Sequence, residues 1–443
     1  MVNIAPFNGV TYNFDKLDID NDLFAPPYDV ITPQYQDELT SRSPYNVVKL
    51  IYGKMYDSDN SDNNRYTRAL NDYKNWLKEG VLVKSDVPKI YFYIQEYVDP
   101  KGVKIKRKGF ISRCQIEDFE SGKILPHEET MGGPKEDRFL LMSAVKANLS
   151  QIYGVYSDPD KKIDAILENA CPSKPCVDVV DDFDVRHVLY EVSDSDALNQ
   201  VVSLMKEKVV LIADGHHRYE TSLRYRNEKR AEENTDGSDD KSYNYNMFYF
   251  SNLDDDGLRV YPTHRALKKS VNVSLDQLLE IVKPYFEITK YDFNDFHNCY
   301  SVMDDQDPKQ IPIGLVGKDQ PGSLYVLKPL YDKVVAKLKE HNVPEILVKL
   351  DVTILHRLIF EALLGLDTVE LKNQNNIEFI RNEDELAEKY AANDAELIFL
   401  VGAPDVPVIR EICMSGYRMP QKTTYFYPKL LSGLVINSLE EIC

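Results

Sequence analysis

The chain has 443 residues, 43% of them apolar, enough for two or three domains or one large body with a substantial core. Its 53 basic and 72 acidic residues leave a formal charge of −19. That balance argues against non-specific nucleic-acid binding and against docking on an anionic membrane, both of which need a cationic surface. Any anionic ligand must therefore meet a local basic pocket.

The N-terminus, MVNIAPFNGVTYNFDK, has no basic stretch followed by an apolar core, so it does not read as a signal peptide. No apolar run approaches the length of a membrane span. The six cysteines are scattered, and the one close pair, Cys171 and Cys176, matches neither a C-x-x-C motif nor a paired zinc spacing. Reduced thiols in a soluble cytoplasmic protein are the expectation.

In chain order, Leu23-Phe24-Ala25-Pro26-Pro27-Tyr28-Asp29-Val30-Ile31 reads as a stiff extended approach into a short strand, because prolines do not sit in a central strand. Such a backbone suits a positioned carboxylate at Asp29, though a plain turn residue would look the same. Residues 43–51 read the same way, a proline and then a strand. Residues 63–79 carry Tyr66, Leu70, Tyr73, Trp76 and Leu77 at helical spacing. Residues 89–98 and 103–116 flank Asp99-Pro100-Lys101-Gly102 as a hairpin, whose second strand is basic at Lys104, Lys106, Arg107 and Lys108. A solvated edge that discourages further pairing is the favoured explanation of those charges, with a nucleic-acid patch as the minor reading.

Residues 125–138, LPHEETMGGPKEDR, form a loop that Pro134 turns into a helix running to about Asn148. Lys135 and Arg138 stand in its first turn, where cations oppose the helix dipole, so an anion site would explain them. His127 and Glu128 have the chemistry of an acid/base pair or metal ligands.

Val209-Val210-Leu211-Ile212-Ala213 is a buried strand by pattern, Asp214-Gly215 breaks it, and TSLRYRNEKRAEE continues as a helix. His216, His217 and Arg218 then fall at the start of that helix, where unpaired N–H groups and the dipole favour phosphate. Gly215 lets a ligand approach the backbone. Asp214 is placed to hold a metal ion or orient a histidine, or simply to cap the helix. The chain contains no G-x-x-x-x-G-K-[ST], so it offers no P-loop.

Residues 229–246 are polar and predict a surface excursion or disordered insert. Met247–Phe250 predicts a strand, and Tyr261-Pro262-Thr263-His264-Arg265 leads towards a helix. From about residue 272 the chain reads α/β: helices near 274–285, 331–339 and 353–364, strands near 310–316, 324–327 and 396–401, and a last helix to about Ser415 that Gly416 closes. The terminal MPQKTTYFYPKLLSGL, residues 419–434, is too apolar and proline-bounded for a loose tail. Lys422 and Lys429 are its candidate anion binders.

Taken together, A-P-P-Y-D-V-I, P-H-E-x-T…G-P-K-E-D-R, A-D-G-H-H-R-Y-E-T-S-L, P-T-H-R and M-P-Q-K-T-T-Y-F-Y-P-K-L resemble the ordered motifs of a widespread family catalogued as domain of unknown function 1015. They span residues 25 to 434. The D-G-H-H-R element also resembles that of free-serine kinases of the ParB/sulfiredoxin-like superfamily, which make O-phospho-L-serine for serine and cysteine metabolism. The resemblance implies a mixed α/β (α+β) fold with a ParB/sulfiredoxin-like core, expected over residues 1–270. A second α/β lobe is expected over 271–443, its last segment returning to the site.

The implied activity is phosphoryl transfer to free L-serine, with Mg²⁺ as cofactor and pyrophosphate as the favoured donor ahead of ATP or ADP. The related kinases use a carboxylate near the N-terminus as base. Asp29 matches it here, with Asp where the smaller kinases use Glu, and Glu128 is the second candidate. Asp214 and His217 complete the expected catalytic set. Gly215, His216, His217, Arg218, Lys135, Arg138, Lys422 and Lys429 are expected to bind the donor. Tyr28, His127, Glu128, Thr423 and Tyr425 are expected on the substrate side, and Asp214 and Glu128 at the metal. No nucleic acid or membrane is expected as partner, and the protein is expected as a monomer or homodimer. The rival readings are a ParB-like nucleotide or nucleic-acid binding module and a pyrophosphatase using the same cradle.

Overall fold

The computed structural model describes residues 2–99, 102–128, 133–236, 241–268, 270–296, 299, 303, 311–367, 371, 376–381, 383–392 and 395–440. The chain divides into two compact units, each of mixed α/β build. The first comprises Met1–Pro126, Gly132–Arg259 and Pro428–Cys443; the second comprises His127–Met131 and Val260–Tyr427.

The first unit is organised on one large mixed sheet. Its strands are β1 (Ile4–Ala5), β2 (Ile90–Val98), β3 (Lys104–Gln115), β4 (Ile124–Pro126), β5 (Ile152–Tyr156), β6 (Val177–Val180), β7 (Arg186–Val192), β8 (Val210–Asp214) and β9 (Tyr245–Asn252). They lie in the order β4-β8-β5-β9-β3-β2-β7-β6, with β1 added to β3. The pairs β8–β4 and β9–β5 are parallel and the rest antiparallel. The helices are α1 (Pro33–Arg42), α2 (Arg65–Lys78), α3 (Gly133–Val145), α4 (Lys162–Ala170), α5 (Ser195–Met205) and α6 (His216–Glu233). Asn64 starts α2 with a capping box closed by Thr67. The core is built on Phe92, Phe110, Ile152, Ile212, Phe248 and Phe250 from the sheet, with Leu167 of α4 and Val201 of α5 against them.

The second unit has an all-antiparallel six-stranded sheet. Its strands are β10 (His264–Leu267), β11 (Phe286–Asp292), β12 (Ile313–Gly317), β13 (Ser323–Pro329), β14 (Ile377–Ile380) and β15 (Leu397–Leu400), in the order β11-β13-β12-β15-β10-β14. Helices α7 (Leu275–Val282), α8 (Tyr331–Glu340), α9 (Glu383–Ala392) and α10 (Val406–Met414) accompany it. A π-helical stretch, Ile354–Leu363, presents Leu355, Leu358, Ile359 and Phe360 to a core shared with Leu315, Leu327 and Phe399.

Several local expectations are corrected. Residues 28–30 make one 3-10 turn rather than a strand, entered from Pro27 at φ −58°. After Pro44, Asn46 Oδ1 accepts from the Val48 amide at 2.8 Å and a short helix, Val48–Ile51, replaces the expected strand. The helix after Pro134 stops at Val145, because Ala147 and Asn148 pair with Ser438 and Asn437. The polar stretch from 229 begins as helix: α6 runs to Glu233 and Asn234 closes it at φ 53°. Residues 237–240 of that stretch lie outside the described residues, as do Pro100 and Lys101 of the hairpin turn and 129–132 of the P-H-E loop.

His264 and Arg265 open a strand, not a helix. Both are fully buried. Burial holds the His264 imidazole down to about 3, so it is neutral at physiological pH. The basic strand β3 is likewise not a solvated edge throughout. Lys104 and Lys106 are exposed and Lys108 is half-buried, but Arg107, between Lys106 and Lys108, is buried.

Asp164 on α4 is buried, and its Oδ1 has no hydrogen-bond partner among the described residues. Burial first, then neighbouring Asp255, pushes its carboxyl up to about 7, against the lowering pull of Lys108. A folded-state value above the unfolded one contributes stability that is present below about pH 4 and lost as pH rises through 7. Asp164→Asn is expected to stabilise the protein at pH 8, by on the order of 3 kcal/mol, and to have little effect at pH 4. Urea unfolding at the two pH values measures this.

Candidate active site

The site in the first unit begins at the end of β8. The ladder between β8 and β5 shifts register between Ile212 and Asp214, so Asp214 stands opposite Tyr153. Such a bulge re-aims a side chain at the strand's end. Gly215 follows at φ 90°, in the left-handed region that admits glycine readily. A Cβ there would also meet the Arg218 guanidinium at 2.9–3.0 Å. Helix α6 then starts, with His216, His217 and Arg218 half-buried in its first turn.

Two cations flank the Asp214 carboxylate. Arg218 Nη2 lies 3.3 Å and Lys429 Nζ 3.5 Å from Oδ2. Arg218 Nη1 also donates to the Gln151 carbonyl. Lys429 reaches this position because its own segment is pinned by a buried network on the sheet. Arg107 donates to Gln95 Oε1 and, at 2.6 Å, to the Pro428 carbonyl. Gln95 Nε2 donates to the Lys429 carbonyl at 2.9 Å, and the Leu431 amide donates to Tyr93 Oη at 3.4 Å. Tyr93 Oη is 2.6 Å from His187 Nδ1, and His187 Nε2 is 2.9 Å from Asp181. The Arg107 guanidinium lies over the rings of Tyr153 and Tyr249, which stabilises a charge removed from water.

Tyr28 and Asp29 come to the same place from the N-terminal turn. Burial pushes the Tyr28 phenol up to about 12, Asp29 and Asp214 push the same way, and Arg138 and Arg218 oppose them. Tyr28 is therefore a neutral hydroxyl under the field of two carboxylates and two guanidinium groups. Asp29 is exposed. Arg138 on α3 stacks on the Tyr28 ring, 4.0 Å from its centroid, and donates to Asp137 and to the Ile51 carbonyl at 2.7 Å. Lys135, one turn earlier, pairs with Glu220 of α6 at 2.5 Å. Tyr28, Ile51, Arg138, Asn148, Arg218 and Asn246 are among the residues lining a cavity of about 50 Å³ here.

The remaining expected residues belong to the second unit. His127 is buried, with Nε2 2.6 Å from Thr424 Oγ1 and 3.2 Å from Glu128 Oε1. Glu128 accepts from the Lys422 amide at 3.1 Å and from the Thr424 amide and hydroxyl at 2.9 Å each. Thr423 is buried and donates to the Pro420 carbonyl at 2.6 Å. Lys422 takes φ 54°, and its carbonyl accepts from Arg265 at 2.9 Å. The Tyr425 ring lies 5.2 Å from the Arg381 guanidinium. Among the described residues no group of three or more His, Cys, Asp and Glu side chains is arranged to hold a metal ion.

The residues that sequence reasoning missed here are Arg107, Gln151 and Asn246. A signal existed for Arg107, which alternates in phase with Ile105, Gly109 and Ile111 while Lys104, Lys106 and Lys108 share the other face. Nothing in the local pattern marks Gln151 or Asn246.

Two outcomes follow from this geometry. Gly215→Ala should cost about 1–2 kcal/mol in backbone strain and displace Arg218 from Asp214; a lowered Tm would register the strain. Arg107→Met should cost on the order of 3 kcal/mol, through lost charged hydrogen bonds. Hydrogen exchange of the 428–431 amides should accelerate before that of the sheet core.

Among solved structures, a conserved hypothetical protein from Pyrococcus furiosus is similar at 14% identity and TM-score 0.35, over 72% of this chain and 92% of that one. A free serine kinase in complex with AMP is similar at 15% identity and TM-score 0.34, over 69% and 83% of the two chains. SbnI from Staphylococcus aureus, with its C-terminus truncated, is similar at 10% identity and TM-score 0.34, over 73% and 85%. No curated protein matches the sequence. The model of the family described as "Protein of unknown function (DUF1015)" matches residues 4–353, and the chain belongs to that family.

Proposed function

We propose that this protein is a phosphotransferase that moves a phosphoryl group from pyrophosphate to the hydroxyl of free L-serine, giving O-phospho-L-serine. The observation that carries the reading is the Asp214 carboxylate held between Arg218 and Lys429 at the α6 start, with Tyr28, Arg138 and Arg218 lining one cavity. Phosphoryl transfer needs little covalent chemistry from the protein. It needs a cationic seat for the donor, a placed acceptor and a base. The α6 start, with Gly215, His216, His217, Arg218 and nearby Lys429, suits a donor that is all phosphate. The acceptor is taken from the resemblance of D-G-H-H-R to free-serine kinases.

In this reading Asp29 takes the proton of the serine hydroxyl as its oxygen attacks phosphorus, and the leaving phosphate departs towards Arg218 and Lys429. Asp29 is exposed, so an incoming acceptor can reach it. Mg²⁺ would neutralise donor charge; it commonly takes one or two carboxylates plus phosphate oxygens and waters, which Asp214 fits without a protein cage. Glu128 belongs to the second unit, whereas Asp214 stands at the α6 start that would seat the donor, so the ion is assigned to Asp214. No helix among the described residues is long and apolar enough to cross a membrane. The cytoplasm, where the described cysteines stay free thiols, is the proposed location.

The test is phosphoserine formation, followed by ³¹P NMR, from L-serine, Mg²⁺ and pyrophosphate, with ATP and ADP in parallel. Asp29→Asn should lower kcat by about 10²–10⁴-fold with the pyrophosphate KM within about twofold of wild type. Lys429→Met should act mainly on the pyrophosphate KM. A fully active Asp29→Asn removes the proposed base, and phosphate release without phosphoserine replaces the kinase with a hydrolase.

A further inference from the structure

On the face of the large sheet to which residues 428–431 are bonded, three polar side chains stand in one row. His187 on β7 lies opposite Gln95 on β2, and Gln95 lies opposite Arg107 on β3. Tyr93, two residues before Gln95, shares that face of its strand. All four are buried. The Lys429 carbonyl is held by Gln95 and the Leu431 amide by Tyr93. Both of these side chains also turn to one atom, His187 Nδ1, with Tyr93 Oη 2.6 Å and Gln95 Nε2 3.5 Å away.

The partners fix where the imidazole hydrogen sits. His187 Nε2 faces the Asp181 carboxylate at 2.9 Å, which only accepts, so Nε2 carries the hydrogen. Burial pulls the His187 pKa below its ordinary value, against the raising pull of Asp181, so the ring is neutral at physiological pH and has no second hydrogen. Nδ1 is then an acceptor. Tyr93 Oη accepts from the Leu431 amide and gives its own hydrogen to Nδ1. Gln95 is oriented in the same way, with Oε1 accepting from Arg107 and Nε2 donating to the Lys429 carbonyl. Asp181 is set in the turn between β6 and β7, where its Oδ1 accepts from the Phe183 and Val185 amides at 2.9 and 3.0 Å. The hydrogen bonds thus run in one direction, from the Leu431 amide to the Asp181 carboxylate.

We infer that His187, in the tautomer that Asp181 imposes, is a positioning residue for Lys429: its Nδ1 keeps Tyr93 and Gln95 turned to hold the 429–431 main chain, and so keeps the Lys429 ammonium beside Asp214. The assignment deepens the kinase reading and rests on it for the part of Lys429 in donor binding. The opposite tautomer would set Nδ1–H against the Tyr93 hydroxyl. Tyr93 would then accept from both sides, and its own hydrogen would lose its acceptor.

Asp181→Asn makes that reversal. Two backbone amides keep the new amide oxygen where Oδ1 stands, so its NH2 group faces His187 Nε2 and drives the hydrogen to Nδ1. The experiment follows the full-length protein by ¹⁵N NMR of the imidazole rings, hydrogen exchange at Leu431, calorimetric titration with pyrophosphate and the ³¹P transfer assay. His187 is expected to carry its hydrogen on Nε2 in the wild type and on Nδ1 in Asp181→Asn. The variant should exchange the Leu431 amide about fivefold faster and weaken pyrophosphate by about fivefold, the size of one net hydrogen bond, with KM following and kcat within about twofold. On a Lys429→Met background the same change should add less than about twofold. His187→Asn, whose oxygen can stand where Nδ1 does, should bind pyrophosphate as the wild type does; His187→Leu, which offers no acceptor, should behave as Asp181→Asn does. A wild-type ring protonated at Nδ1 overturns the assignment. So does a reversed tautomer that leaves Leu431 exchange and pyrophosphate binding unchanged, or an equal loss with and without Lys429. Tautomer-dependent pyrophosphate binding with no transfer to L-serine supports the assignment and overturns the kinase reading. Transfer to L-serine with donor binding indifferent to Asp181→Asn does the reverse, and no pyrophosphate binding by the wild type overturns both.

Discussion

The charge of Arg107 has to be accommodated without water, and much of the first unit is arranged to do so. A guanidinium in a protein does not give up its proton, so burial forces the fold to supply partners. Here they are two aromatic faces, a glutamine and a main-chain carbonyl from more than three hundred residues downstream. Satisfying that one group fastens the segment beginning at Pro428 to the sheet, and Lys429 follows it to Asp214. The candidate site inherits its second cation from a requirement of the core.

The same device recurs. Arg138 donates to the Ile51 carbonyl, Arg218 to Gln151, Arg226 to Ile116 and Arg265 to Thr263, Gln421 and Lys422. Loop carbonyls that no ladder satisfies are costly when buried, and arginine, with five N–H groups in a planar fork, serves a carbonyl and a second partner together. In a strongly acidic chain such cations are spent on joining distant segments rather than on the surface. Arg138 and Arg218 join segments and line the cavity at once, which keeps their positions rigid where a ligand would need them.

Asp214 depends on local backbone more than on long-range contacts. A register shift in β8, a left-handed glycine and a helix start follow within a few residues. Each of these is encoded where it occurs, and so the strand–turn–helix at 210–233 was legible in sequence as a whole. The hairpin of β2 and β3 and the helix at 65–78 were legible for the same reason. The misread segments were those where a proline signal had several outcomes. Pro26-Pro27 and Pro44 led into turns and short helices because Asn46 and the neighbouring main chain offered local hydrogen bonds. His264-Arg265 misled because both side chains are buried, and burial reverses the meaning of a charged dipeptide.

By itself the sequence determined which stretches are strands and helices wherever periodicity was strong, and where the phosphate-friendly helix start lies, since both follow from interactions within a few residues. It also determined the family, through motifs spread over nearly the whole chain. Only the tertiary structure decided that Arg107 is a buried clamp and that Tyr28 stacks against Arg138 and shares a cavity lining with Arg218. It also decided that residues 127–128 pack with 419–424 while Pro428 onward joins the large sheet. These facts depend on desolvation and on pairings across tens to hundreds of residues. A carboxylate, an arginine or an asparagine reads the same in sequence whether water or a fold surrounds it.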